Sequence, residues 1–227
     1  MKDYTIWVSY HKDEQVQHYG LKEDEHHKLF PTHKDAELPN INVMNPVYSE
    51  MVTMWYVWKN NLKSDYVGFE HYRRHLSIAR MPEDNECIVY NRVSLGSETL
   101  YQQYCHWHNQ ADMDLMLEVL DDTYGENNIY VKHIVSNNMF IANCTFLMKW
   151  RDFTQMCCFL FGAIDEYSKR VGIVGHDEEA LCKWQDREYS DFNGVNFVYQ
   201  TRVVSFLAER LISAWIAADM KATVSRA

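Results

Sequence analysis

The 227-residue sequence predicts an α/β fold, a sheet flanked by helices. Three observations carry this. Two short runs rich in β-branched and aromatic residues, Tyr4 to Tyr10 and Tyr66 to Phe69, each stop abruptly in polar residues, as buried strands of an open sheet do. The segment between them, from Asn45, carries apolar residues at spacings of three and four, the mark of an amphipathic helix. With 47% hydrophobic residues, the chain can bury one sizeable core. A single domain over residues 1–227 is therefore expected, with a helical C-terminal part from about residue 143.

Taken in order, Tyr4 to Tyr10 is the first strand and ends at His11-Lys12. Asp13 to Asn42 is polar, rich in His and charge, and contains Pro31 and Pro39, which predicts a long irregular connection. Asn45-Pro46 suits a helix start, and one helix is expected to about Asn61, with Val47, Met51, Met54 or Trp55, and Trp58 on its apolar stripe and Glu50 set off from it. The next strand, Tyr66 to Phe69, ends in Glu70-His71-Tyr72-Arg73-Arg74. Paired guanidinium groups at a strand's C-terminal end suit an anionic ligand, because each planar fork can hold phosphate oxygens in two places. The same pair is also what an ordinary solvated turn contains.

Further on, Cys87 to Tyr90 reads as a short strand, Ser97 to His108 and Met113 to Tyr124 as helices, and Ile129 to Ile134 and Met139 to Ala142 as strands. Phe146, Trp150, Phe153, Cys157, Leu160, Ile164 and Tyr167 mark one long helix. Lys169 to Gly194 is charged and turn-rich, a helix follows Arg202, and Lys221 to Ala227 is expected to fray.

The balance of 22 Lys and Arg against 32 Asp and Glu leaves a net charge of −10, which opposes nonspecific binding to nucleic acid or to an anionic membrane. Any phosphate site must then be a local basic pocket. The six cysteines lack paired metal spacing and are expected as reduced, buried thiols. Met1-Lys2-Asp3-Tyr4 lacks the shape of a secretory leader, and no apolar run reaches the roughly 18 residues of a membrane span, so a cytoplasmic protein is expected, at most peripheral to the inner face of the membrane. The clusters His26-His27 and His33 lack ligand spacing, and His106-x-His108 lacks partners. Asp112-Met113-Asp114 has the form of a metal-binding D-x-D but opens an amphipathic helix, where acidic residues serve the helix dipole.

Several of these segments together resemble a bacterial glycosyltransferase family of capsular and exopolysaccharide clusters, whose hallmark is a strand reading G-x-x-H-Y-R-R. The matching residues are Gly68 to Arg74, Asn45-Pro46-x-Tyr48-x-Glu50, Trp58-Lys59-Asn60, Asn138-Met139-Phe140-Ile141, and Arg202 with Glu209-Arg210-Leu211. At the family's glycine-containing segment this chain has Phe30-Pro31-Thr32-His33. The resemblance implies a GT-A-like fold with a mixed, mostly parallel central sheet, and hexosyl transfer from a nucleoside-diphosphate sugar to a glycan or lipid-linked glycan acceptor. Some members of the family are associated with galactose or galactofuranose. It also suggests site residues. His11, Lys12, Tyr72, Arg73, Arg74 and Arg202 would bind the nucleotide sugar, with Trp7 beside His11 and Tyr72 as a wall. Glu50, His71 or Glu209 would act as general base, Glu70 being the weaker choice. Asn138, Trp58 and Arg210 would meet the acceptor. No metal ligand is assigned. Arg73 and Arg74 would repel a cation while offsetting the diphosphate charge themselves, so a manganese or magnesium ion is expected at most as a weak stimulant at Glu70 and His71. A non-catalytic carbohydrate-binding or scaffold protein and a His71-dependent phosphodiesterase stand as alternatives.

Overall fold

The structure is a computed structural model, and it describes residues 3–225. In chain order the elements are β1 (Tyr4–Tyr10), α1 (Asp13–His18), β2 (His27–Pro31), α2 (Asn45–Tyr48), α3 (Met51–Lys59), β3 (Tyr66–His71), β4 (Glu86–Val89) and β5 (Val93–Ser94). They continue with α4 (Leu100–Trp107), α5 (Gln110–Tyr124), α6 (Ile129–Ser136), β6 (Met139–Phe140), β7 (Phe146–Lys149), α7 (Trp150–Arg170), α8 (Glu178–Asp186), α9 (Phe197–Gln200), α10 (Val203–Asp219) and β8 (Lys221–Val224). Among the described residues the main sheet has six strands in the order β2-β1-β3-β7-β4-β8, and β5 pairs with β6 in a separate ribbon. The pairs β1–β2, β1–β3 and β4–β8 are parallel, while β7 runs antiparallel between β3 and β4. The expected α/β class with a mixed, mostly parallel sheet is what forms.

β3 lies at the centre and is buried along its whole length, because both faces of the sheet are covered. Its odd-numbered side chains, Val67 and Phe69, join the large core under the helices, where the Phe69 ring packs on Phe146 and Phe153. Tyr66 lies on the other face with Leu147 and Ile88, under the segment that carries Leu76, Ile78 and Met81. Strand alternation extends this division into the polar end, so His71 emerges on the helix-covered face and Glu70 on the opposite one. β1 follows the same rule. Trp7 packs on Phe30 and Tyr56, and the Ser9 hydroxyl meets Thr53 of α3 at 2.7 Å, while Ile6 and Val8 form the second face with Leu21.

Several sequence expectations are corrected. The span 13–42 is not irregular: α1 forms there, and β2 pairs with β1 from Ile6–His27 to Tyr10–Pro31. Residues 129–134 form helix rather than strand, because the Asn128 side chain accepts from the backbone of Tyr130 and Val131, and Val131 and Ile134 then share one buried face. Phe146 stands on β7, so the long helix begins at Trp150. Lys221–Val224 do not fray but pair with β4; the last two residues of that stretch, like Met1 and Lys2 of the start read for a leader, lie outside the described residues. The six cysteines are free, as expected, but Cys158 and Cys182 are exposed. No described helix is long and apolar enough to cross a membrane.

Gly68 is required by close approach. A Cβ there would stand 3.2 Å from Ile6 Cγ1, Leu147 Cδ1 and the Phe146 carbonyl oxygen, and that last atom is backbone of the paired strand. Gly68→Ala is therefore expected to destabilise the fold by about 1–3 kcal/mol, measured by urea denaturation. At the far edge, Glu86 receives two N–H groups of Arg80 at 2.6 and 2.7 Å and the Thr223 hydroxyl at 2.5 Å, which ties β8 to β4. The Arg80 pairing, outweighing burial, lowers the Glu86 carboxyl from 4.5 to about 2. A depressed carboxyl stabilises the fold above its unfolded-state value. The contribution should be complete above about pH 4.5 and vanish as pH falls towards 2, and thermal melts of Glu86→Gln should lack that component of the acid loss.

Candidate functional site

The register of β1 against β3 places Ser9 beside His71 and brings the two polar strand ends together. His11, one residue past β1, and His71, the last of β3, face each other with their Nε2 atoms 3.3 Å apart. The third group comes from the helix above. The single helix expected from Asn45 to Asn61 is broken at Ser49, whose φ of 52° and ψ of −136° lie where residues other than glycine are strained. That break separates α2 from α3 and aims Glu50 at the two rings: Glu50 Oε1 lies 3.2 Å from His71 Nε2 and 3.9 Å from His11 Nε2. Asn45 does not cap the helix; its amide donates to the Thr32 hydroxyl at 3.0 Å.

Burial decides the protonation of this cluster. It draws His71 down to about 4, against the pull of Glu50, and it also lowers His11. For Glu50 burial acts upward, but His71, its own backbone N–H, His11 and Arg202 outweigh it and keep the carboxylate ionised. His71 is 5% exposed, and its Nδ1 finds no partner among the described residues.

Glu50 and His71 border a cavity of about 140 Å³ together with Arg73, Arg74, Asn143, Tyr199, Arg202 and Glu209. Arg74 closes a tight turn, its N–H donating to the His71 carbonyl at 2.8 Å. Among the described residues neither Arg73 nor Arg74 has a carboxylate within ion-pair distance, and Arg73 lies over the Tyr72 ring, 5.6 Å from its centroid. Arg202 donates to the Ser49 hydroxyl through Nε at 2.9 Å and Nη2 at 2.7 Å, and it also borders a second cleft of about 550 Å³ lined by His11, Thr32, His33, Asn42 and Asn45. Glu209 accepts from the Asn143 N–H at 3.2 Å, and burial raises its carboxyl despite the neighbouring Arg210. The smaller cavity alone is below the usual 300–1,000 Å³ of a ligand pocket, whereas the cleft that shares Arg202 with it lies within that range.

The fold thus gathers His11, Glu50, His71, Arg73, Arg74, Arg202 and Glu209. The other expected site residues are elsewhere engaged. Lys12 caps α1 and is exposed. Tyr72 lies against the His71 and His11 rings without bordering either cavity, and Trp7 belongs to the core. Trp58 stacks on Phe161, and Asn138 donates to the Gly96 carbonyl at 2.6 Å. Arg210 is 3% exposed, held between the Phe140 and Tyr104 rings with an N–H on the Phe206 carbonyl. Glu70 borders the cavity, yet its carboxylate is occupied by His75 Nδ1 and the Leu76 N–H, both at 2.7 Å. Asp112 and Asp114 lie on α5, Asp112 buried against Tyr167 and Arg187 and Asp114 bonded to Tyr101, so this D-x-D faces neither cavity. His106 faces Glu98, whereas His108 donates from Nδ1 to Gln200. Thr32, Ser49 and Asn143 were not legible as site residues. Asn143, with φ 69°, carried the weak signal of an Asn suited to a left-handed turn, and Ser49 carried none.

The fold and the site define an α/β protein with an arginine-lined, carboxylate-bearing cavity at the C-terminal ends of two parallel strands. A family model described as "Domain of unknown function (DUF4422)" matches residues 5–182, and the chain belongs to that family. Among solved structures it is similar to the apo structure of the WbbM bifunctional glycosyltransferase, with a TM-score of 0.74 and 19% identity over 98% of this chain and 44% of that one. The chain therefore spans less than half of that neighbour, and the likeness is one of fold. No curated protein matches it.

Ser49 gives a direct check on the helix break. Ser49→Gly and Ser49→Ala both remove the hydroxyl that holds Arg202, but only glycine relieves the positive φ. Chemical denaturation should find Ser49→Gly more stable than Ser49→Ala by about 1–2 kcal/mol.

Proposed function

We propose that the chain transfers a glycosyl group from a nucleoside-diphosphate sugar to a glycan or lipid-linked glycan acceptor. The observation that carries this reading is the pair Arg73 and Arg74, which meets no carboxylate among the described residues and opens with Arg202 on a cavity that also holds carboxylates. When the bond between the anomeric carbon and the diphosphate oxygen breaks, the electron pair leaves on the nucleoside diphosphate. Fixed guanidinium groups stabilise that developing charge better than reorganising water does. The acceptor oxygen bonds to the anomeric carbon, and its proton passes to Glu209, whose carboxyl burial makes more basic. Glu50, at the start of α3, and His71, at the end of β3, border the same cavity. The fold shared with the WbbM glycosyltransferase and the resemblance carried by Gly68 to Arg74 support the same reading.

The test is a thermal-shift panel of nucleotide sugars, followed by transfer assays with the donor that stabilises the protein. Stabilisation by free glycans and by none of the nucleotide sugars would sink the transferase reading in favour of a binding module. Phosphoester hydrolysis independent of any acceptor would favour a phosphodiesterase instead. Arg73→Lys and Arg74→Lys keep the charge but lose the fork, and each should lower kcat/KM by about 10- to 100-fold. Glu209→Gln should lower kcat by about 100-fold or more while donor binding persists.

A further inference from the structure

We propose that His11 Nε2, Glu50 Oε1 and His71 Nε2 form a three-ligand site for a divalent first-row transition cation of the zinc or manganese kind. The three atoms converge from three separate elements, at 3.3, 3.2 and 3.9 Å from one another. Triangulating those separations gives a point in their plane about 2.0 Å from each atom, the length of a zinc–imidazole or zinc–carboxylate bond. No other group of three His, Cys, Asp or Glu side chains among the described residues converges in this way.

The surrounding hydrogen bonds orient the first ligand. The Thr32 hydroxyl donates to the Tyr10 carbonyl at 3.1 Å and accepts from Asn45. With its proton so committed, it takes the Nδ1–H of His11 at 2.8 Å, which leaves the Nε2 lone pair directed at Glu50 and His71. An imidazole whose second nitrogen donates to a fixed oxygen is the usual arrangement behind a metal-bound histidine. Thr32 is fully buried, and its place in this sequence is where the resembled family carries a glycine-containing segment.

Two imidazoles and one carboxylate favour a borderline cation over magnesium or calcium, which prefer oxygen donors. His11 and Glu50 are each about one quarter exposed, so a cation there keeps open positions, as catalytic rather than structural zinc sites do. The cluster stands between the cavity bordered by Glu50 and His71 and the cleft bordered by His11. The expected weak cation site at Glu70 and His71 keeps its histidine here but not its carboxylate, which His75 and Leu76 hold. Arg202, the cation shared by both cavities, is tied to Ser49.

The cation site stands or falls separately from sugar transfer, because metal binding is measured without donor or acceptor. The chelator-treated full chain would be titrated with cobalt(II) and followed by visible absorption, and with zinc(II) by calorimetry. One equivalent of cobalt should bind with the intensified d–d bands of a low-coordinate nitrogen and oxygen site. Glu50→Gln and His11→Ala, checked for folding by circular dichroism, should abolish those bands. Thr32→Val, which leaves all three ligands in place, should weaken binding by about 10- to 100-fold. His26→Ala/His27→Ala, at histidines whose rings meet the Tyr4 carbonyl and Asp24 respectively, should bind as the parent does. The inference is overturned if no stoichiometric binding occurs, if the bands persist in Glu50→Gln, or if they are lost in His26→Ala/His27→Ala instead. Should His11→Ala or Glu50→Gln unfold, the Thr32→Val affinity decides: an unchanged value overturns the site.

Discussion

The parallel pairing of β1 with β3 is the constraint on which the rest of this structure depends. Side chains alternate across a strand, so once Ser9 stands beside His71 every polar residue at the strand ends has its face assigned. His71 continues the face of Val67 and Phe69, and His11 that of Trp7 and Ser9, towards the helices. Glu70 is sent to the other face, where His75 and Leu76 occupy it. A slip of one residue would exchange Glu70 for His71 and disperse the cluster. The space that holds this register is tight. Gly68 has Ile6 on one side and Leu147 and the Phe146 carbonyl on the other, so any larger residue would press β1 and β7 apart at the strand that carries the site.

Local order around the site is bought by the core beneath it. Ser49 holds a positive φ and His71 Nδ1 is buried without a partner, two features that cost free energy in isolation. They persist because Val47, Met51 and Met54 on either side of the break are fully buried, and because the Ser9–Thr53 hydrogen bond pins α3 to β1. Rigid support of this kind suits chemistry in which charge develops at a fixed place, since donors already in position need not reorganise. Arg73 and Arg74 differ from the other arginines around them in this respect. Arg187 and Arg210 are held by interior partners, whereas among the described residues the two strand-end groups meet no carboxylate, Arg73 lying only over the Tyr72 ring.

What escaped the sequence has physical causes that differ from place to place. β2 and β8 are the edge strands of the sheet, and edge strands carry polar residues that discourage pairing with other molecules, so His27–Pro31 shows no apolar alternation and that of Lys221–Val224 spans only four residues, none of them fully buried. Residues 129–134 have the composition of a strand, but the Asn128 cap and burial of Val131 and Ile134 outweigh propensity. Phe146 to Lys149 suits a helix equally well until β3 and β4 supply partners on both sides. The strand read at Tyr66–Phe69, which the structure extends to His71, and the helix stripe around Met51 were legible because their burial pattern is set by many residues at once.

The site divides in the same way. The chemical types at the strand ends, and the acidic and basic residues at Glu50, Arg202 and Glu209, are properties of the linear chain, and the resemblance of their segments to a family marked them as candidates. Their meeting was decided only by tertiary structure. Residues 11, 50, 71 and 202 are far apart in sequence, and no periodicity records that a parallel register, a break at Ser49 and the placement of α10 bring them to one point. Trp58, Asn138 and Arg210 show the converse: their segments looked equally suited to the site, but packing against Phe161, Gly96 and the Phe140 and Tyr104 rings gave them other work. Residue type sets what a side chain can do, and the long-range contacts that fold the chain decide which of those capacities share a cavity.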